Sequence, residues 1–107
     1  MPVKNISPPE LKEMLLKEED IKLIDVREQW EHNIARINGS ELAPVRTFSE
    51  YYKKLDVNEK IVVFCHHGSR SYKVCQFMIQ NGFKNIYNLE GGINAWSLEI
   101  DNSISQY

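Results

Sequence analysis

The chain has 107 residues and a formal net charge of −2, so it fits one compact domain and offers no broad basic surface for nucleic acid or anionic lipid. With 42% apolar and 26% charged residues, it can build a core without disulfides or a metal. No apolar run approaches the roughly 20 residues of a membrane span, and residues 1–10 lack the apolar centre of a secretory signal. We therefore expect a cytoplasmic protein.

The first third of the chain predicts a helix, a strand and a helical turn. Residues 7–10, with the sequence Ser-Pro-Pro-Glu, are typical of a capping box that opens a helix, and the charge run of residues 17–20 is expected at its solvated end. Residues 21–26 are rich in branched side chains and predict a strand. Residues 27–32 predict a short helical turn.

The middle of the chain predicts a short strand and a second capped helix. Asn38-Gly39 marks a turn, and the strand expected in residues 41–43 ends at Pro44. Residues 47–50, Thr-Phe-Ser-Glu, have the pattern of another capping box, which predicts a helix to about Leu55.

The second half centres on residues 61–64, a continuous apolar run that is typical of a strand covered on both faces. A helix is predicted from Ser69 to Asn81, with Gly82 ending it. The other predicted elements are a strand in residues 85–89, a short helix in residues 93–96 and a frayed polar tail from Asp101. Strands that alternate with helices indicate an α/β fold with a mostly parallel sheet.

Cys65 directly follows the central strand, at the sheet edge where open α/β folds bind ligands. The N–H groups of the turn and of the first helical turn have no partners within the helix, and Gly68 lets the backbone curve around an anion. These donors, helped by the charge of Arg70, favour a thiolate, which is the nucleophilic form of cysteine. We predict that Cys65 is a catalytic nucleophile, although a core cysteine is the alternative.

The second cysteine, Cys75, is predicted to pack in the core and not to form a disulfide with Cys65. In a helix that starts near Ser69 it lies about 9 Å along the axis, whereas bridged α-carbons are usually within about 7 Å. His66 and His67 are adjacent, and His32 is the only other histidine, so we expect no metal site.

Three charged residues near the predicted sheet edge each have two interpretations. Arg70 either assists the anion site or pairs with a surface carboxylate. Asp25 and Arg27 form either a surface ion pair or a pair that braces the Cys65 loop from behind, because they end a strand at the same edge.

Four segments in the same order resemble motifs of rhodanese-like domains. The heptapeptide CHHGSRS, residues 65–71, is similar to the active-site loop of that family. The other matching segments are residues 23–28 with Trp30-Glu31 following, residues 34–40 and residues 89–96. The resemblance covers residues 5–97 and implies a single domain over residues 1–107 with a polar tail in 98–107. It also implies a three-layer fold, in which helices flank both faces of a central, mostly parallel sheet.

The resemblance further implies a sulfurtransferase without a cofactor. Such a protein moves sulfane sulfur from a donor such as thiosulfate to cyanide or a thiol, through a persulfide on Cys65. Asp25 and Arg27 match positions of structural support. The expected substrate-binding residues are His66, His67, Gly68, Ser69, Arg70 and Ser71. Glu41 departs from the pattern, because it replaces an apolar residue in a short strand and one pocket wall.

Two alternative functions remain open at this point. A sulfur relay would load or unload Cys65 through a partner protein, and the polar loop is expected to leave the cysteine open to large partners. A phosphatase or arsenate reductase of related fold would have a loop one residue longer than the six residues from Cys65 to Arg70.

Overall fold

A five-stranded parallel sheet forms the centre of the computed structural model, which describes residues 3–17 and 20–107. The strand order is β1-β5-β4-β2-β3, so β4 is central, and all neighbouring strands are parallel. The strands are β1 (Lys4–Ile6), β2 (Ile21–Asp25), β3 (Glu41–Leu42), β4 (Lys60–Phe64) and β5 (Asn85–Leu89). No helix among these residues is long and apolar enough to cross a membrane.

Helices cover both faces of this sheet. They are α1 (Pro8–Leu16), α2 (Gln29–Ile34), α3 (Phe48–Tyr51), α4 (Ser69–Gln80) and α5 (Gly92–Glu99), and short 3-10 turns flank α3. Alternate residues of β4 point to opposite faces. Val63 therefore packs in one apolar cluster with Phe48 of α3 and Met78 of α4. Val62 packs in a second cluster, which includes Leu11 of α1 and Trp96 of α5, so the predicted three-layer fold is confirmed.

The two predicted capping boxes have opposite outcomes. Ser7 Oγ accepts from the Glu10 N–H at 3.2 Å, and Glu10 Oε1 accepts from the Ser7 N–H at 3.0 Å, so the first box is confirmed. The second is wrong, because a 3-10 turn occupies Val45–Thr47 and the Thr47 hydroxyl donates to the Pro44 carbonyl. Part of the charge run at 17–20, namely Glu18 and Glu19, lies outside the described residues.

Two short strands show the limits of sequence patterns. Strand β1 was not predicted, because it has three residues and buries only Ile6, which is too little for a visible alternation. Strand β3 forms despite Glu41, whose carboxylate lies on the exposed side of the sheet edge and accepts a hydrogen bond from the Tyr51 hydroxyl.

The segment of residues 101–107 folds back onto the domain. Ile104 and Tyr107 pack against the cluster that contains Leu11 and Trp96. Tyr107 also forms hydrogen bonds with buried polar groups. The prediction of a frayed tail is therefore wrong for these residues, because two apolar side chains and buried polar partners hold the segment in place.

Candidate active site

Two main-chain N–H groups and a hydroxyl group surround the Cys65 sulfur. The Gly68 N–H lies 3.1 Å from Sγ, and the N–H and Oγ of Ser71 each lie 3.4 Å away. The Cys65 side chain is nearly inaccessible, with 1% of its surface exposed. The expectation that the loop leaves the cysteine open to large partners is therefore wrong, because the loop closes over the sulfur. The Ser71 hydroxyl has one hydrogen and makes its shortest contact, 2.5 Å, with Asn88 Oδ1, so the two N–H groups are the donors that face the sulfur. A buried sulfur that faces two main-chain donors is suited to carry negative charge.

The curvature of the loop depends on Gly68, which precedes α4. Its φ of +111° lies in the left-handed region, which strains any residue with a β-carbon. This conformation points the Gly68 N–H at the sulfur, and the Gly68 carbonyl accepts a hydrogen bond from Asn88 Nδ2. The 12-residue helix that begins at Ser69 adds partial positive charge at its N-terminus, next to Cys65.

The start of α5 holds the other side of the loop. The Ile93 N–H donates to the Cys65 carbonyl at 2.9 Å, and the Asn94 N–H donates to the His66 carbonyl at 3.0 Å. A β-carbon on Gly92 would overlap both carbonyl oxygens, so the close approach of these two segments requires glycine. The N–H groups at the start of α4 thus face the sulfur, while those at the start of α5 hold the backbone of Cys65 and His66.

Arg70 forms a bidentate ion pair with Glu31 of α2. Arg70 Nη1 lies 2.7 Å from Glu31 Oε1, and Nη2 lies 2.9 Å from Oε2. The glutamate side chain is 4% exposed and the arginine side chain 40%, so the predicted alternative of a surface carboxylate is wrong. The hydrogen bonds from Arg70 lower the pKa of Glu31 to about 2, against the opposing effect of burial. The carboxylate is therefore charged at neutral pH and holds the guanidinium in one orientation.

Asp25 and Arg27 are completely buried, so their interpretation as a surface ion pair is wrong. Arg27 Nε donates to Asp25 Oδ1 at 2.9 Å, and Nη2 donates to Oδ2 at 2.7 Å. Arg27 also donates to the carbonyls of Glu31 and Ala35, and His32 Nδ1 lies 2.8 Å from Asp25 Oδ2. The pair thus connects the end of β2 to α2, which carries the partner of Arg70.

The two histidines of the loop lie at its rim. The His66 ring stacks on Tyr107, with centroids 4.0 Å apart and an interplanar angle of 7°, and it also contacts His67 at 4.0 Å. Burial lowers the pKa of His66 most, and the charge of His67 lowers it further. His67 and Ser69 are exposed. In the described part of the chain, no group of three His, Cys, Asp or Glu side chains could hold a metal ion.

Three residues near the loop were not predicted as site residues. Glu31 lies 39 positions before Arg70, and Tyr107 lies 76 positions after Glu31, so no local pattern links them. Asn88 accepts from the Ser71 hydroxyl and donates to the Gly68 carbonyl. An asparagine inside a short apolar strand was a usable signal, because a buried amide needs polar partners.

Comparison with known proteins agrees with this geometry. The sequence matches the rhodanese-like domain family over residues 7–99. The chain belongs to that family. It is 35% identical to the thiosulfate sulfurtransferase GlpE of Coxiella burnetii over 77% of each chain. A rhodanese-like domain protein from Staphylococcus aureus has the same fold, with a TM-score of 0.85, 30% identity and coverage of 98% of this chain and 99% of that one.

A longer relative contains the rhodanese-like domain as one part. The rhodanese-like/PpiC domain-containing protein 12 of Arabidopsis thaliana, named as chloroplastic, is 37% identical over 99% of this chain. The chain spans only 38% of the length of that protein.

Proposed function

We propose that this rhodanese-like domain is a sulfurtransferase that carries sulfur as a persulfide on Cys65. The observation that supports this most directly is the pair of main-chain N–H donors, from Gly68 and Ser71, that face a buried cysteine sulfur. The relative named thiosulfate sulfurtransferase supports a small sulfane donor such as thiosulfate. No cofactor takes part in the proposed reaction.

In the first step, the Cys65 thiolate attacks the sulfane sulfur of thiosulfate. The sulfur–sulfur bond of the donor breaks, sulfite leaves with the electron pair, and a disulfane anion remains on Cys65. The proton of the original thiol goes to solvent. The N–H groups of Gly68 and Ser71 stabilise the negative charge on sulfur, since fixed donors need no reorganisation during the step.

In the second step, cyanide or a thiolate attacks the outer sulfur. The bond between the two sulfurs breaks, the Cys65 thiolate is regenerated, and thiocyanate or a new persulfide leaves. The transfer is thus split into two displacements at sulfur, and each begins or ends with the same stabilised thiolate.

The remaining loop residues would bind and orient the donor. Arg70 attracts the anionic donor and is held by Glu31. His66, His67 and Ser69 form the rim, and Ser71 contributes its hydroxyl. Asp25 and Arg27 have a structural role, because they anchor α2 behind the loop. A cytoplasmic location and the single-domain extent over residues 1–107 stay predictions.

Mass spectrometry of the intact protein after incubation with thiosulfate tests this function. We expect the wild type to gain one sulfur atom, and Cys65→Ser to gain none. Cys75→Ser is the matched control and keeps the gain. Cyanide then removes the sulfur and releases thiocyanate.

Other outcomes would reject parts of the proposal. Sulfur loading that persists in Cys65→Ser excludes the mechanism. Loading at Cys65 without turnover on thiosulfate and cyanide favours the relay with a partner protein. Hydrolysis of an aryl phosphate that is faster than sulfur transfer favours a phosphatase.

A further inference from the structure

Residues 101–107 lie beyond the part of the chain that matches the family, yet Tyr107 contacts the active-site loop. Its ring lies parallel to that of His66 at 4.0 Å, and its edge faces Trp30 at 6.0 Å. The His66 carbonyl accepts a hydrogen bond from the Asn94 N–H of α5, and the His66 ring stacks on Tyr107. The contact therefore links the segment after α5 to the Cys65 loop.

The Tyr107 hydroxyl connects two charged groups behind the loop. It accepts from Arg27 Nη1 at 2.7 Å and donates to Glu31 Oε2 at 2.8 Å. The same Glu31 oxygen accepts from Arg70 Nη2 at 2.9 Å. A continuous chain of hydrogen bonds therefore runs from the buried Asp25–Arg27 pair through Tyr107 and Glu31 to Arg70.

The hydroxyl keeps this role across the neutral pH range. Burial is the largest effect on the Tyr107 phenol and raises its pKa to about 12, so the group stays protonated and can donate. Glu31 stays ionised and can accept. The direction of both hydrogen bonds is thus set, because the guanidinium of Arg27 can only donate.

We propose that Tyr107 is a positioning residue of the active site, which orients Arg70 through Glu31 and fixes the His66 ring in the Cys65 loop. This inference rests on the proposed function for its effect on sulfur transfer. The expected effect is on binding of the anionic donor, since Tyr107 acts through Arg70 and does not reach the sulfur.

The physical reason is the charge on Glu31. Tyr107 disperses that charge by donating to Oε2 and limits how far the carboxylate can move toward Arg70. Without the hydroxyl, the carboxylate cancels more of the Arg70 charge, and the buried Nη1 of Arg27 loses its shorter hydrogen bond. The first change makes the site less attractive to an anion, and the second weakens the support behind Glu31.

Two variants separate the roles of the hydroxyl and the ring. Tyr107→Phe keeps the ring that stacks on His66 and removes the hydrogen bonds, while Tyr107→Ala removes both. We expect KM for thiosulfate to rise about fivefold in Tyr107→Phe and more in Tyr107→Ala, with kcat within about twofold of wild type for the former. Tyr52→Phe is the matched control, because Tyr52 packs in the other apolar cluster, against Phe77.

A second measurement does not depend on sulfurtransferase activity. Iodoacetate and iodoacetamide alkylate Cys65 by the same reaction, but only iodoacetate is an anion. We expect the ratio of the iodoacetate rate to the iodoacetamide rate to fall about threefold in Tyr107→Phe and to stay at the wild-type value in Tyr52→Phe. This ratio tests the positioning role even if the wild type transfers no sulfur, in which case only the proposed function fails.

The inference is overturned if the ratio in Tyr107→Phe and Tyr107→Ala equals that of wild type. It is also overturned if both reagents slow equally together with a lowered unfolding temperature, because Tyr107 then only stabilises the fold. A raised KM with an unchanged kcat and a lowered alkylation ratio supports it.

Discussion

Cys65 and Cys75 are both buried, yet the surroundings of their sulfurs differ. Cys65 follows β4 and faces the N–H groups of Gly68 and Ser71. Cys75 lies in the middle of α4, in the apolar cluster that includes Phe48 and Met78. The pKa of Cys75 is raised to about 12, mainly by burial and to a smaller extent by the charge of Cys65.

The difference shows that two cysteines that are both almost completely buried can have polar surroundings in one case and apolar surroundings in the other. Main-chain N–H groups in the first turn of a helix lack partners within the helix, whereas those in later turns bond the carbonyl four residues earlier. A sulfur beside the first turn of α4 therefore meets main-chain donors, and a sulfur in the middle of the same helix does not. The position along one helix decides which of the two sulfurs has polar surroundings.

The largest expected effect is on the rates at which the two thiols are alkylated. A thiol with a pKa of about 12 is ionised on the order of one part in ten thousand at pH 8. We expect iodoacetamide at pH 8 to modify Cys65 at least about a thousandfold faster than Cys75 in the native protein. Digestion and mass spectrometry at timed intervals measure both rates.

Denaturation supplies the control for this experiment. In urea-unfolded protein the two cysteines should react at similar rates, because neither is buried. Similar rates in the native protein would contradict the contrast between the two sulfurs. The alkylation rate of Cys75 should rise with pH, because the thiol ionises as the pH approaches its pKa of about 12.

The next largest effect is expected from Gly92→Ala, which perturbs the surroundings of Cys65 and not those of Cys75. Its β-carbon would overlap the carbonyls of Cys65 and His66, and the φ of +60° adds strain. We expect a loss of about 3 kcal/mol in the free energy of unfolding and a large loss of sulfur transfer. Urea denaturation and thiocyanate release measure the two effects.

Gly82→Ala is the matched control for that substitution. Gly82 also has a positive φ, of +90°, but its β-carbon would meet no atom within 4 Å. We expect a cost of about 1 kcal/mol and unchanged transfer. An equal cost at both glycines would show that the contact with the Cys65 backbone is unimportant.

The smallest expected effect concerns Ser71→Ala, which removes a hydroxyl that lies 3.4 Å from the Cys65 sulfur and donates to Asn88 Oδ1. Because its hydrogen is engaged by Asn88, we expect about a tenfold decrease in kcat for sulfur transfer and not the larger loss expected for a direct donor. Ser97→Ala is the control, because Ser97 is a buried serine whose hydroxyl bonds the Asn94 carbonyl in α5. Equal decreases in the two variants would indicate a loss of stability alone.

Several features of the site were predictable from the sequence because their causes are local. The apolar run of β4, the glycine at position 68 and the helix that follows occur within 20 residues, and they place Cys65 beside the N-terminus of α4. The Ser7–Glu10 capping box is also a local pattern, and it formed as predicted. The similar pattern at Thr47 failed because Pro44 and the 3-10 turn gave its hydroxyl another partner.

The sequence alone determined the candidate nucleophile, the parallel α/β order and the positions of most helices. These features follow from the spacing of apolar residues, from glycines and from capping residues, which all act over a few positions. Folding in three dimensions set the partners of the charged groups instead. Arg70 meets Glu31 and Tyr107 meets both Arg27 and Glu31 across long stretches of chain. Chain order does not encode such pairs, because a charge can be satisfied by any opposite group that packing brings near. Burial of the Asp25–Arg27 pair, and with it the support of the loop, depended on that packing.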